Sequence, residues 1–517
     1  MAESTTPQKY NFRNIGSALL LGSLALWVYY YHVLTPLPFY GYFSDPELAY
    51  IFSSLELAKF GTVELTDHPG TFLQLSGALI VKVCSVDFSD ALDLEAINSF
   101  RHSWLIFSIL SLLGSLWLLS KTTDGATSFS IAVLLLFHDY NSFSFWGHFT
   151  PEGAFSALYL PVILILLIRL QKNQSLSWRS TLIWGLLLGS ITTIKITLWP
   201  VSLFVWVLFL CSDPSSWGIR IRKTMLFSAS SVLAYLTLAS LFAENRTEQI
   251  QWFLSLLTES GRYGKSNSHG AFLPLNEIIQ WTQRGLELQS YTTLLPPILL
   301  SAIATYDCFK KSNSTESRLT SAAFLFCMLF SILIYAKHPY QIKYLLPQTY
   351  LLVFFFLHKC TNRERTFKQA SRGSKVFLLL IAAVTLNSFT NYQVLHTYKQ
   401  TQYSEIQEPI NTAIDTLNPE KLYFSLEVPS PDTALAFAVR ETKRLAPAFE
   451  SRTPQVTIFR ERNADYSVSD SNSLPLQKIK ANAMIFTTRR FTDPRVQLIY
   501  SDPQLELFIF HSKAEIE

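Results

Sequence analysis

Residues 69–86 read PGTFLQLSGALIVKVCSV, and whether this stretch crosses a membrane decides the topology of everything after it. The run is short, contains Gln74, Gly77 and Lys82, and is followed by Asp87, Asp90, Asp93 and Glu95. If it spanned, the basic clusters Arg220, Arg222 and Lys223, Lys310 and Lys311, and Lys359 through Lys375 would all lie outside. Cytoplasmic loops carry the excess of Lys and Arg, which argues against that arrangement. Reading 69–86 as a helix lying in the interface plane puts these clusters in the cytoplasm together with Lys9 and Arg13. The acidic stretch, residues 139–151, residues 244–290 and the C-terminal tail then fall outside.

The rest of the chain makes a membrane frame the natural one. Of 517 residues, 49% are hydrophobic and only 15% charged, against about 25% charged in soluble domains; the mean hydropathy is +0.22. Apolar runs of spanning length start near residues 15, 99, 124, 152, 178, 197, 222, 291, 318, 341 and 375. The expected fold is therefore a polytopic α-helical membrane protein with about eleven spans, N-terminus in and C-terminus out. Residues 47–60 place Leu48, Ile51, Phe52, Leu55 and Ala58 at helical spacing, which predicts a second, amphipathic interfacial helix. From about residue 396 the pattern turns to soluble α/β, with strand-like runs at 421–427, 455–460, 483–488 and 495–511 and a helical run at 432–445. The expected domains are thus 1–395, transmembrane, and 396–517, a small extracytoplasmic α/β domain. A net charge of +4 gives no reason to expect a nucleic-acid partner, and the five cysteines lie in or beside apolar segments, where they read as small buried hydrophobes.

Ionisable residues near a membrane are costly unless partners or function retain them. On the outer face this reading gathers Asp45 and Glu47, then Asp67 and His68, then Asp139, His148 and Glu152. Each group stands beside a proline, so helix capping is the competing explanation. The same face carries Lys195, Arg262, Lys265, Lys337 and Lys343, cations that the charge rule disfavours there. Snorkelling accounts for any one of them; a set of cations opposite a set of acids is better explained by an anionic ligand such as phosphate. Histidines at metal-ligand spacing such as HExxH are missing, so a divalent cation would need a site assembled from several loops, and no cofactor is assigned.

At these residues the chain resembles the GT-C superfamily of integral-membrane glycosyltransferases, in the branch of protein O-mannosyltransferases and lipid A aminoarabinose transferases. The resemblance covers roughly residues 10–390. It rests on Asp45-Pro46-Glu47-Leu48-Ala49-Tyr50, Asp67-His68-Pro69, Thr150-Pro151-Glu152, Ile194-Lys195, Arg262, and Lys337 through Pro347 with Tyr344. The family's first acid sits four residues before the Tyr. Pro46 holds that place here, leaving Asp45 and Glu47 as rivals for the catalytic base, with Asp45 preferred. The resemblance implies transfer of a sugar from a polyprenyl-phosphate donor to a lipid, glycan or protein hydroxyl, with inversion, at the outer face of a bacterial inner membrane. It also implies that Tyr50, Asp67, His68, Glu152, Lys195, Arg262, Lys265, Lys337, Lys343 and Tyr344 bind substrate. A transporter or lipid flippase with an outer sensor domain is the competing class, and it predicts inverted repeats and midplane charges.

Overall fold

The structure, a computed structural model, describes residues 47–64, 70–84, 94–122, 131–135, 146–171, 175–247, 249–251, 273–289, 294–310, 313–337, 345–362, 405–425, 456–459, 482–487, 496–502 and 507–512, most of 22–31, and scattered single residues such as Gln393, His396 and Arg444. It is mostly helical. The helices are α1 (Glu47–Phe60), α2 (Thr71–Val83), α3 (Leu94–Thr122) and α4, a continuous helix formed by Pro151–Ala154, a π turn at Phe155–Tyr159 and Leu160–Gln171. There follow α5 (Trp178–Thr192), α6 (Trp199–Ser212), α7 (Trp217–Leu241), α8 (Leu275–Gln289), α9 (Leu295–Phe309), α10 (Thr315–Lys337) and α11 (Leu346–Asn362).

Among the described residues, four helical stretches are long and apolar enough to cross a membrane: Glu95–Ser120, Pro151–Leu170, Trp217–Leu241 and Thr315–Lys337. They answer to the runs starting near 99, 152, 222 and 318. The runs near 178, 197, 291 and 341 form the shorter helices α5, α6, α9 and α11. The runs near 15, 124 and 375 are described only in part. Large apolar side chains point outward along the long helices, among them Ile106, Leu110 and Trp117 on α3, Leu233 and Leu236 on α7, and Phe326 and Leu329 on α10. Such continuous apolar exposure suits a lipid surround and not water. This is the pattern of a helical membrane protein.

The helix ends sort into two sets. At one end Phe149 N–H donates to Glu47 Oε1 (2.8 Å), Phe72 N–H to Thr193 Oγ1 (3.2 Å) and Val63 N–H to the Phe242 carbonyl (2.8 Å). At the other, Lys223 pairs with Asp213 (3.3 Å), Arg220 with Glu316 (3.4 Å) and Lys359 with Asp307 (2.8 Å). Helix α2 has thirteen residues, about 20 Å at 1.5 Å per residue, short of the ~30 Å hydrocarbon core.

Helices α5 and α7 approach closely because α5 carries Gly185 and Gly189 one turn apart. A Cβ at Gly189 would overlap the Ser231 carbonyl oxygen, and one at Gly185 would overlap Ser230 Oγ. Small residues four apart let two helix backbones meet in this way. The Ser231 oxygen is backbone and cannot swing aside, so Gly189→Ala should force the helices apart. We expect a loss of about 1–3 kcal/mol, read as a lower thermal midpoint of the detergent-solubilised protein.

The C-terminal region holds a five-stranded sheet, with β1 (Lys421–Ser425), β2 (Val456–Phe459), β3 (Ala483–Thr487), β4 (Val496–Asp502) and β5 (Leu507–Ser512) in the order β2-β1-β3-β5-β4. β1 pairs in parallel with β2 and β3, and β5 pairs antiparallel with β3 and β4. The run expected as one strand at 495–511 is an antiparallel pair that turns after Asp502, where Pro503 follows in sequence and could not donate to a ladder. A helix over 405–417 covers the sheet through Ile406, Ile410 and Ala413, which pack with Leu422, Met484, Phe486 and Ile509. The helix expected at 432–445 falls, apart from Arg444, outside the described residues.

Candidate functional site

Helix α1 was expected to be amphipathic, and it is instead covered on all sides: Glu47, Ser53, Ser54 and Glu56 are as buried as Leu48, Ile51 and Phe52. Its serines make this tolerable by donating to their own helix, Ser53 to the Ala49 carbonyl (2.7 Å) and Ser54 to that of Tyr50 (2.8 Å). The outer cover is α2, where Gly77 leaves room for Ser54 and Phe149, whose atoms a Cβ would overlap.

Glu47 opens α1 and is held from two other elements. Its Oε1 accepts from Phe149 N–H, and its Oε2 meets Arg101 Nε (2.9 Å) and His148 Nδ1 (3.0 Å). The 148–149 segment is itself clamped by α3, where Trp104 Nε1 donates to the His148 carbonyl (2.9 Å) and Phe100 and Trp104 meet the Phe149 ring edge-on. Burial alone would raise the Glu47 pKa; the charges of Arg101 and His148 and the Phe149 amide outweigh it and hold the carboxyl at about 2.

Thr150 caps α4, its hydroxyl accepting from Gly153 N–H (3.2 Å), and Pro151 takes the first helical position. That leaves Glu152 free of capping duty. Its buried carboxylate accepts from Lys195 Nζ through Oε1. Lys195 is extended (φ −157°, ψ 137°) in the short unwound stretch that separates α5 from the 3-10 turn Ile196–Leu198 leading into α6. The stretch is fixed by α2: Thr193 accepts from Phe72 N–H, and Gly70 packs beside the Ile194 carbonyl and the Tyr50 ring, 3.4 Å from Tyr50 Cε1 to an ideal Cβ position. The π turn at Phe155–Tyr159 follows Glu152 directly, and such turns recur at functional sites. Tyr350, near the start of α11, packs edge-on against Phe155 and Tyr159.

Of the residues singled out in the sequence, the fold thus gathers Glu47, Tyr50, Glu152 and Lys195 at one end of the bundle. Lys337 ends α10, half-buried, two residues after Tyr335, whose hydroxyl pairs with Thr282 of α8 (3.1 Å). Asp45, Asp67, His68, Arg262, Lys265, Lys343 and Tyr344 lie outside the described residues. Sequence reasoning missed Arg101, although an arginine inside an apolar run signals a need for a partner. Among the described residues no group of three or more His, Cys, Asp or Glu stands together as a metal site.

A second buried acid lies at the far end of α1. Glu56 Oε2 accepts from Glu64 N–H (3.2 Å), and Arg444 crosses above, donating to Thr62 (2.9 Å) and pairing with Glu64 and Glu244. Burial first, then the neighbouring Glu64 and Glu244 charges, push Glu56 up to about 7 against the opposing effect of the Glu64 amide and Arg444. A carboxyl raised in the folded state contributes stability below its unfolded value of 4.5 and loses it as pH climbs through about 7. Glu56→Gln should therefore remove up to about 3 kcal/mol of stability loss between about pH 5 and pH 8, measured as a flatter pH profile of the thermal midpoint.

Comparison with models of known protein families and with curated protein sequences found no match.

Proposed function

We propose that this chain is a membrane glycosyltransferase that moves a sugar from a polyprenyl-phosphate donor to an acceptor hydroxyl at the outer face, with inversion. One observation carries the reading: motifs spread over more than a hundred residues, Glu47 to Tyr50, Gly70, Thr150 to Glu152 and Ile194-Lys195, come together at one end of the bundle. Charge supports taking that end as the outer one, because Arg220, Lys223 and Lys359 make their ion pairs at the opposite end. In this orientation α2 lies in the interface and the C-terminal α/β region stands outside.

Nucleotide sugars are confined to the cytoplasm, so a transferase acting outside needs a donor already carried across on lipid. A carboxylate takes the proton from the acceptor hydroxyl as its oxygen attacks the anomeric carbon. The bond from that carbon to the phosphate oxygen breaks, and the polyprenyl phosphate leaves with the electron pair. Cations in a low-dielectric site stabilise the charge gathering on that oxygen, the role we assign to Lys195 with Arg262, Lys265, Lys337 and Lys343. Asp67, His68 and Glu152 orient acceptor or sugar, with Tyr50 and Tyr344 lining the site. Glu47, held through both oxygens, ties the 148–149 segment to α1, which leaves Asp45 as the base.

The test is mass analysis of glycolipids, glycans and glycoproteins from a strain lacking the gene, followed by transfer with the purified chain and the lipid-linked sugar pool. Loss of one sugar from one acceptor class, restored by the purified chain, is the expected result. Unchanged glycans together with altered movement of a lipid or solute across the membrane would favour a transporter.

A further inference from the structure

Glu47 and Glu152 are equally buried and differently served. Both oxygens of Glu47 have donors, whereas Glu152 Oε2 has no hydrogen-bond partner among the described residues. Two more buried side chains on the segments that meet there are in the same condition, the Gln74 amide nitrogen and the Thr197 hydroxyl. Gln74 stands one turn beyond Gly70 on the buried side of α2, whose first turn is bonded to Thr193. Thr197 follows Lys195 by two residues in the 3-10 turn. Folded proteins leave few buried polar atoms unmet, because each loses its water and gains nothing. An ammonium group, an amide donor, a hydroxyl and an open carboxylate oxygen on adjoining segments are an apt set for a ligand.

We infer that Gln74 and Thr197 complete, with Glu152 and Lys195, a pocket for a molecule bearing an oxyanion beside a hydroxyl. Resting on the transferase reading, this assigns the pocket to the sugar-phosphodiester end of the donor. Lys195, Gln74 and Thr197 donate to phosphate oxygens, and Glu152 Oε2 accepts from a sugar hydroxyl. The assignment distinguishes a glycosyl phosphodiester from a plain dialkyl phosphate, which offers the anion without the hydroxyl.

The substitutions Gln74→Leu and Thr197→Val separate binding from packing. Removing a buried polar atom that has no partner is neutral or stabilising for the fold, so thermal midpoints should stay level or rise. Titration of the purified full chain in lipid nanodiscs with butyl glucosyl phosphate should show affinity falling about 10–100-fold in each variant, the worth of one hydrogen bond to a charged group. Wild type should bind this probe more tightly than dibutyl phosphate. Equal affinity of wild type for the two probes overturns the hydroxyl contact. Variants that bind both probes as wild type does overturn the pocket while leaving an anion site at Lys195 intact. Wild type that binds neither probe overturns the pocket and the transferase reading together.

Discussion

Glu47→Gln should cost about 3 kcal/mol of stability, the lower end of what breaking a buried ion pair costs. The carboxylate ties three elements: α1 by position, α3 through Arg101 and the 148–149 segment through His148 and the Phe149 amide. A glutamine keeps one oxygen for the amide but turns an NH₂ group toward the Arg101 and His148 nitrogens, placing donors against donors. Arg101 is 17% exposed and can recover some hydration, so the lower end of the range for a broken buried pair applies. The pH dependence has a definite sign. A carboxyl held at about 2 against an ordinary 4.5 contributes stability above 4.5 and loses it as the pH falls through about 2. Wild type should therefore lose about 3 kcal/mol from this group on acidification, and the glutamine variant should lack that share of the acid loss. Thermal midpoints of both proteins in detergent from about pH 6 down to about pH 2 measure it. A variant as stable as wild type at neutral pH but without activity would return Glu47 to the role of base.

How much of this was legible beforehand depends on the range of the interaction. The long apolar helices announce themselves through some twenty consecutive apolar residues, and α4 was readable down to its start because Thr150-Pro151 is a cap followed by a first-turn proline. The strands of the sheet were readable from β-branched and aromatic runs, whereas the turn that splits the last run into β4 and β5 was missed despite Pro503. The Gly185 and Gly189 spacing was equally visible and went unread. Other features have no local signal. The burial of Ser53, Ser54 and Glu56 depends on α2 and Phe149 arriving from elsewhere, so a periodic apolar stripe on α1 looked like a surface helix. Glu152 and Lys195 were each noticed alone. Their pairing depends on the α4 start and the α5–α6 break meeting, which nothing within either segment encodes. The unmet atoms of Gln74 and Thr197 are visible only once every neighbour has a place.

Asp45→Asn should reduce transfer by about 10²–10⁴-fold while leaving the fold unchanged, the effect of removing a general base. The choice between two carboxylates two residues apart follows from what Glu47 is already doing. A base must bind a proton in the transition state, and its efficiency falls as its proton affinity falls. Glu47, held at about 2 by Arg101, His148 and the Phe149 amide, has little affinity for a proton, and its carboxylate is fixed by these contacts to α3 and the 148–149 segment. Asp45 carries no such duty in this assignment, and Pro46 stands between it and Glu47 in sequence. The two variants should therefore fail in opposite ways. Asp45→Asn should keep the wild-type thermal midpoint and the wild-type KM for the lipid-linked donor and lose kcat, because only the proton transfer is removed. Glu47→Gln should lose stability first and activity only as the fold loosens, with kcat recovering when the assay is run well below its lowered midpoint. Both rates need a purified chain and a defined lipid donor. Wild-type kcat in Asp45→Asn would remove Asp45 from the mechanism and, with Glu47 committed to Arg101, turn the search for the base to Asp67 and Glu152.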